Sequence, residues 1–339
     1  PHIDNSTRVW DDNIGGFKHF RYSDRCLDGL LKRQADLREV LEDRGYDGAT
    51  FPKKEWIVTE SNIPSKAFGE YLGSPEAQRN YIIKALVASQ QNDIRQFHVY
   101  QLSDIEPAKR ANSEFQLMGL YASIDSIPLY TQKINPVGVA YKTTSMFLKG
   151  KRYDAAQTAK LNLPSNVRGG AFRAENGSFT YVLWAVTSKD NSEKANATFS
   201  FPSDFSLASL RKRDWNFADA GITTLVDASQ VELTGTPVFL FDSQAEDPAE
   251  DAKRIEVDCT PNPFSSELTL DLNLPDPMLS TLRVYDMTGR QVTDLFTGEK
   301  LTEGEHSLKV SGDNLPAGTY YFQFRTAGGR QVGCQVVKK

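Results

Sequence analysis

A glutamate stands at the carboxyl end of a short apolar run, Trp56-Ile-Val-Thr-Glu60-Ser-Asn62. Such a run reads as a parallel strand buried on both faces. In α/β sheets and barrels the carboxyl ends of the strands are where the βα loops converge and sites assemble. The next apolar run ends in Phe97-His98-Val-Tyr100-Gln101, and the chain opens on Pro1-His2-Ile-Asp4, which reads as the tail of a preceding strand. Three successive strand ends thus offer His2, Glu60 and Tyr100, with Asn62 and Gln101 beside them. A carboxylate able to attack, a tyrosine able to hydrogen-bond it, and imidazole and aromatic groups nearby are what a pyranose site requires. The plainer alternative is that Glu60 only caps the loop after its strand. His19 and His98 are read as structural, in keeping with the usual half-buried state of histidine.

The elements that must position these groups follow from periodicity. Leu27, Leu30, Leu31, Ala35, Leu37, Val40 and Leu41 repeat at helical spacing, which predicts a helix over about 28–44 with Gly45 as its stop. Ser74 is a good N-cap and Pro75 suits the first turn of a helix running to about Gln91. A strand follows at about 96–102, and Asn135-Pro136 opens a further helix ending near Gly150. Strands alternating with crossover helices predict a parallel α/β region over 1–150. Residues 151–241 carry short strands between Gly, Asn, Asp and Ser turns and predict a β-sandwich domain. Residues 242–254 form an acidic linker: from Asp242 to Asp251 there are five acidic residues, no basic ones and no large hydrophobe. Residues 255–339 return to strands, six or seven in a small Ig-like sandwich.

Composition narrows the function classes. A chain of 339 residues suits two or three domains. Its net charge of −5 excludes a general nucleic-acid binder, which needs a basic stripe to displace counterions. No apolar run approaches the ~20 residues of a transmembrane segment. There is no phosphate-cradling glycine loop and no metal-ligand spacing, so no cofactor and no metal are expected. Cys26, Cys259 and Cys334 are widely spaced. Three unpaired thiols are the simpler reading, with a Cys259–Cys334 bridge left open.

Residues 1–241 resemble the carboxy-terminal part of a retaining glycoside hydrolase of the (β/α)8-barrel clan A. Trp56-Ile-Val-Thr-Glu60 is similar to the end of that clan's seventh strand, which carries the nucleophilic glutamate, and His2 fits the end of the sixth. Residues 96–150 fit the eighth strand and closing helix, although Tyr100 and Gln101 stand where a tryptophan is frequent. The resemblance implies that Glu60 is the nucleophile and that His2, Asn62, Tyr100 and Gln101 bind the sugar. It also implies a second carboxyl group about 5–5.5 Å from Glu60 to pass the proton. The clan carries it in an Asn-Glu pair on the fourth strand, and no such pair lies in 1–150. A whole barrel takes ~250 residues, so the 339 residues are expected to be the carboxy-terminal portion of a longer polypeptide.

Residues 255–339 resemble the type A carboxy-terminal sorting domain of the type IX secretion system of Bacteroidetes-like bacteria. The resemblance rests on Pro261-Asn262-Pro263-Phe264, on Leu282-Arg-Val-Tyr285-Asp286-Met-Thr-Gly289-Arg290, on Gly304-Glu-His, on Leu315-Pro-Ala-Gly318-Thr-Tyr320-Tyr321, and on the terminal Val336-Val-Lys-Lys339. Pro261 and Pro263 fix φ twice and are read as an extended start, and Gly289 supplies a turn. The resemblance implies a secretion translocon, a shuttle protein and a sortase-like peptidase as partners, and an address at the cell surface or outside the cell. The combined expectation is a multidomain α/β plus all-β protein, an exported retaining glycoside hydrolase acting on polysaccharide. The alternative is a non-catalytic carbohydrate-binding or surface-structural protein exported by the same route.

Overall fold

The computed structural model describes residues 7–123, 125, 133–244, 255–326 and 331–339. His2 and most of the acidic segment lie outside the described residues. The chain divides into two compact units, Pro1–Ala245 and Glu246–Lys339.

In the first unit a hairpin, β1 (Arg8–Asp11) and β2 (Gly16–His19), leads into α1 (Ser23–Asp43). Then come β3 (Trp56–Ser61), α2 (Pro75–Gln91), β4 (Ile94–Val99) and α3 (Pro136–Leu148). β3 and β4 are parallel and joined through α2, a βαβ unit. Among the described residues this parallel sheet has two strands, and a (β/α)8 barrel is not seen. β3 is accordingly not buried on both faces, as its run of apolar residues suggests. One edge pairs with β4, α2 lies against one side, and Ile57 remains 49% exposed.

Helix α2 has the capping its sequence predicts: the Ser74 side chain accepts from the Ala77 N–H, and Pro75 fills the first turn. It is buried on several sides, polar residues included, and each buried polar side chain is engaged. Gln78 donates to the Leu117 carbonyl, Asn80 donates to Glu193, and Lys84 donates to Ser23 and Asp24.

The rest of the unit is β5 (Arg152–Tyr153), α4 (Ala155–Lys160), β6 (Val167–Arg173), β7 (Phe179–Ala185), β8 (Asn196–Phe199), β9 (Ser209–Arg213), α5 (Phe217–Ala220), β10 (Thr224–Asp227), β11 (Val231–Thr234) and β12 (Val238–Asp242). Six strands form one sheet in the order β10-β9-β12-β7-β6-β5, and β11 pairs with β8 in a second. Tyr181, Leu183, Leu210, Val238 and Leu240 of the large sheet share a core with Phe199, Val231 and Leu233 of the small one. The large sheet's other face meets the helices. Phe147 of α3 packs on Phe239 and Phe241 at centroid distances of 5.2 and 4.8 Å. Burial on both faces explains why Phe179–Ala185 is almost continuously apolar. The junction at 150/151 lies inside this compact unit.

The second unit is all β: β13 (Glu256–Thr260), β14 (Glu267–Leu274), β15 (Met278–Asp286), β16 (Gln291–Leu301), β17 (Gly304–Ser311), β18 (Gly318–Thr326) and β19 (Gln331–Lys338). A three-stranded sheet, β13-β14-β17, and a four-stranded sheet, β16-β15-β18-β19, enclose one core. Strict alternation along β14 points Leu268, Leu270, Leu272 and Leu274 inward. Cys259 on β13 and Cys334 on β19 are disulfide-bonded, while Cys26 is a buried free thiol. The bridge replaces the simpler reading of three thiols. Their 75-residue separation gives no sequence cue, and only the folded sheets bring the two Cα atoms to 6.2 Å.

Candidate functional site

The first candidate site lies at the carboxyl edge of β3 and β4. Trp56 pairs with Ile94 at one end of the ladder and Ser61 with Val99 at the other. Between the pairs Val58–Phe97 and Ser61–Val99, β3 carries two residues, Thr59 and Glu60, against the single His98 of β4. This is a bulge, a device that re-aims side chains beside sites. It leaves both Thr59 and Glu60 exposed while Ser61 turns inward, its hydroxyl 2.6 Å from that of Tyr81.

Tyr100 and Gln101 follow directly, joined by a cis peptide bond. The Tyr100 N–H donates to the Ser61 carbonyl at 3.2 Å, which fixes Tyr100 beside the Glu60 segment. The Tyr100 ring meets Phe115 edge-on at 6.4 Å. A loop strand closes the rim: the Gln101 N–H donates to Met118 and the Leu120 N–H to Gln101.

The structure therefore brings Glu60, Asn62, Tyr100 and Gln101 to one edge, but not in equal roles. Asn62 is fully buried. Its amide donates to the Met118 carbonyl at 2.7 Å and accepts from the Ile63 N–H at 2.9 Å, so it ties the two rim segments together. The Gln101 amide donates to the Phe115 carbonyl at 2.9 Å. Glu60 is exposed at this edge and Tyr100 is half-buried beside it.

Several contributors had no sequence signal. Phe115 and Met118 come from an aperiodic segment. Asp104, in the same segment, is half-buried; burial pushes its carboxyl above the usual range, against the Gly119 N–H at 2.8 Å and the Asn135 amide at 2.9 Å. A buried polar cluster also holds α1 to the large sheet. Asp24 receives Lys84 at 2.8 Å, the Trp184 indole at 2.9 Å, and both the N–H and hydroxyl of Thr187. Burial pushes the Asp24 carboxyl up, yet the Lys84 ammonium and these hydrogen bonds outweigh it and hold the group below its ordinary value. Glu193 alongside accepts from the N–H and hydroxyl of Ser23.

The second unit carries the other candidate residues. Residues 261–263 form a bend where an extended start was expected, and Pro261 and Pro263 both follow cis peptide bonds. The bend lets Asn262 act as a surrogate strand: its amide donates to the Gln335 carbonyl at 2.9 Å and accepts from the Val337 N–H at 3.0 Å. Phe264 is buried and continues the pairing with Val337 and Lys339. The first motif of the unit thus clamps its last strand.

Asp286 organises the β15–β16 turn. It accepts from the hydroxyl and N–H of Thr288 and from the N–H and guanidinium of Arg290, while Gly289 takes φ +81°. The Thr288 hydroxyl foremost, then the Arg290 N–H and guanidinium, bring the Asp286 carboxyl down to about 2. Tyr285 lies opposite Tyr321 in the ladder. Gly318 opens β18, and the Tyr320 hydroxyl donates to the Pro316 carbonyl at 2.8 Å, closing the turn before that strand.

None of the curated proteins matches the chain. Among solved structures, a bacterial orthologue of human α-L-iduronidase aligns at 10% identity with a TM-score of 0.37, over 91% of this chain and 61% of that one. A polysaccharide lyase aligns at 10% identity with a TM-score of 0.22, over 56% and 29%. The chain thus spans less than two thirds of the length of either structure. Residues 260–339 match the family described as the secretion system C-terminal sorting domain. The protein therefore carries a type IX sorting domain and is cargo of that machinery, exported across the outer membrane to the cell surface or the medium.

Proposed function

We propose that this exported protein acts on polysaccharide as a retaining glycoside hydrolase, with Glu60 as its nucleophile. The observation that carries the reading is the Thr59–Glu60 bulge at the carboxyl edge of a parallel βαβ unit, with Tyr100 bonded beside it. In this reading the Glu60 carboxylate attacks the anomeric carbon. The leaving oxygen takes a proton from a second carboxyl group, and water then releases the sugar with that group acting as base. Tyr100 orients the attacking carboxylate, and Asn62 acts through the loop it ties rather than on the sugar. The reaction needs that second carboxyl group about 5–5.5 Å from Glu60.

The test is turnover by the natural, full-length secreted protein. Glu60→Gln should reduce kcat by about 10³-fold or more without raising KM in proportion, because the lost interaction forms only in the transition state. Unchanged turnover removes Glu60 from the chemistry. Glycan binding without any turnover by the unaltered protein would favour a carbohydrate-binding role instead.

On the export side, we propose that the second unit is recognised by the translocon and a shuttle protein and is then removed by a sortase-like peptidase. With β19 clamped by Asn262, the long outer strand β16 offers an open edge for strand addition.

A further inference from the structure

At the opposite end of β3 and β4 from Glu60 lies a groove of about 1060 Å³, lined by the carboxyl half of α1, the start of each strand, and β5. Its lining differs in character from the rest of the chain. The whole protein carries a net charge of −5, yet this groove gathers five cationic side chains against three acidic ones. One acid, Glu55, is already paired with Arg95. Three aromatic residues, Tyr46, Trp56 and Tyr153, interleave with the cations. Lys54 lies 4.3 Å from the centre of the Tyr46 ring and Arg38 lies 6.0 Å from that of Trp56. Lys53 and Arg152 are exposed on its walls. An adjoining recess of about 330 Å³ shares Gln90, Ile94 and Arg95 with the groove and extends it along β4.

We propose that this groove binds an anionic polysaccharide, one bearing carboxylates on a hydroxyl-rich chain, as a surface separate from the Glu60 rim. Half-buried aromatic rings suit the apolar faces of pyranoses, and lysine and arginine heads suit carboxylates spaced along the polymer. The acids Glu42 and Asp93 among those cations suit hydroxyl donors. They count against the densely charged phosphate backbone of a nucleic acid, which places one negative charge about every 3.4 Å along a strand. Because the groove stands apart from Glu60, the proposal does not depend on hydrolysis.

Calorimetric titration of the 339-residue chain tests it, using hexagalacturonate, its fully methyl-esterified counterpart and an oligothymidylate. Hexagalacturonate should bind, and the neutral ester should bind at least about tenfold more weakly. Lys53→Ala combined with Arg152→Ala should weaken hexagalacturonate by about tenfold or more without changing the melting temperature. Four results would overturn the proposal: no hexagalacturonate binding, equal binding of the ester, tighter binding of the oligothymidylate, or unchanged hexagalacturonate binding in the double variant.

Discussion

Glu60 and Asn62 are neighbours in sequence with opposite fates, and the difference is a matter of backbone geometry. The bulge turns Glu60 outward, whereas Asn62 is drawn in and both ends of its amide are spent on backbone groups. Residue type and position at a strand end made Glu60 legible. Polarity made Asn62 a ligand candidate as well, because sequence does not reveal where an amide's hydrogen bonds go. Asn262 makes the same point in the second unit, where its amide satisfies both a carbonyl and an N–H of β19. Asn262→Ala leaves those exposed backbone groups without that partner and should lower the stability of the unit by about 0.5–1.5 kcal/mol. Thermal melts of the intact chain check this, and an unchanged transition would mean that water replaces the clamp at no cost.

At the level of elements, legibility followed from how plainly each segment was patterned. Helix α2 was readable to its ends because Ser74, Pro75 and the apolar repeat agree with one another. The first turn of α1 was missed because Ser23 and Asp24 are polar yet buried, committed to a cluster supplied by residues about 60 and 160 positions away. Strand β9 was missed because Ser209-Leu-Arg-Lys-Arg213 is mostly charged. Its Arg213 is nevertheless buried among Phe147, Phe217 and Phe241. Extra strands of this kind are set by tertiary surroundings rather than by local pattern.

The Asp24–Lys84 pair makes the cluster testable. Asp24 is held below its ordinary carboxyl value, so its contribution is fully present above that value and is lost as pH falls through the lowered one. Stability of the first unit should therefore decline below about pH 4, and Asp24→Asn should weaken that decline in pH-dependent melts. Lys84→Met removes the buried cation of Asp24, leaving only the longer contact with Arg168 at 3.5 Å, and should cost roughly 3–5 kcal/mol at neutral pH. A loss under about 1 kcal/mol would show that the cluster relaxes toward solvent.

At the scale of the whole molecule, the chain joins an α/β and β-sandwich unit to a sorting unit with its own core. The sorting unit's repeated turns and alternating strands made it the most legible part. The disulfide that spans it was not legible, because its partners meet only through the fold. Cys259→Ser with Cys334→Ser should lower that unit's stability by roughly 2–4 kcal/mol, and melts with and without reductant should report the same difference. Deleting residues 260–339 should retain the protein in the periplasm, and undiminished appearance in the medium would contradict the export assignment.

The most direct measurement is peptide mapping of the natural secreted protein after reaction with a panel of 2-deoxy-2-fluoroglycosides, which trap a glycosyl-enzyme ester. The account predicts a covalent sugar on the peptide containing Glu60, absent from Glu60→Gln. A sugar trapped on a different carboxylate, while Glu60 stays unmodified, would contradict it.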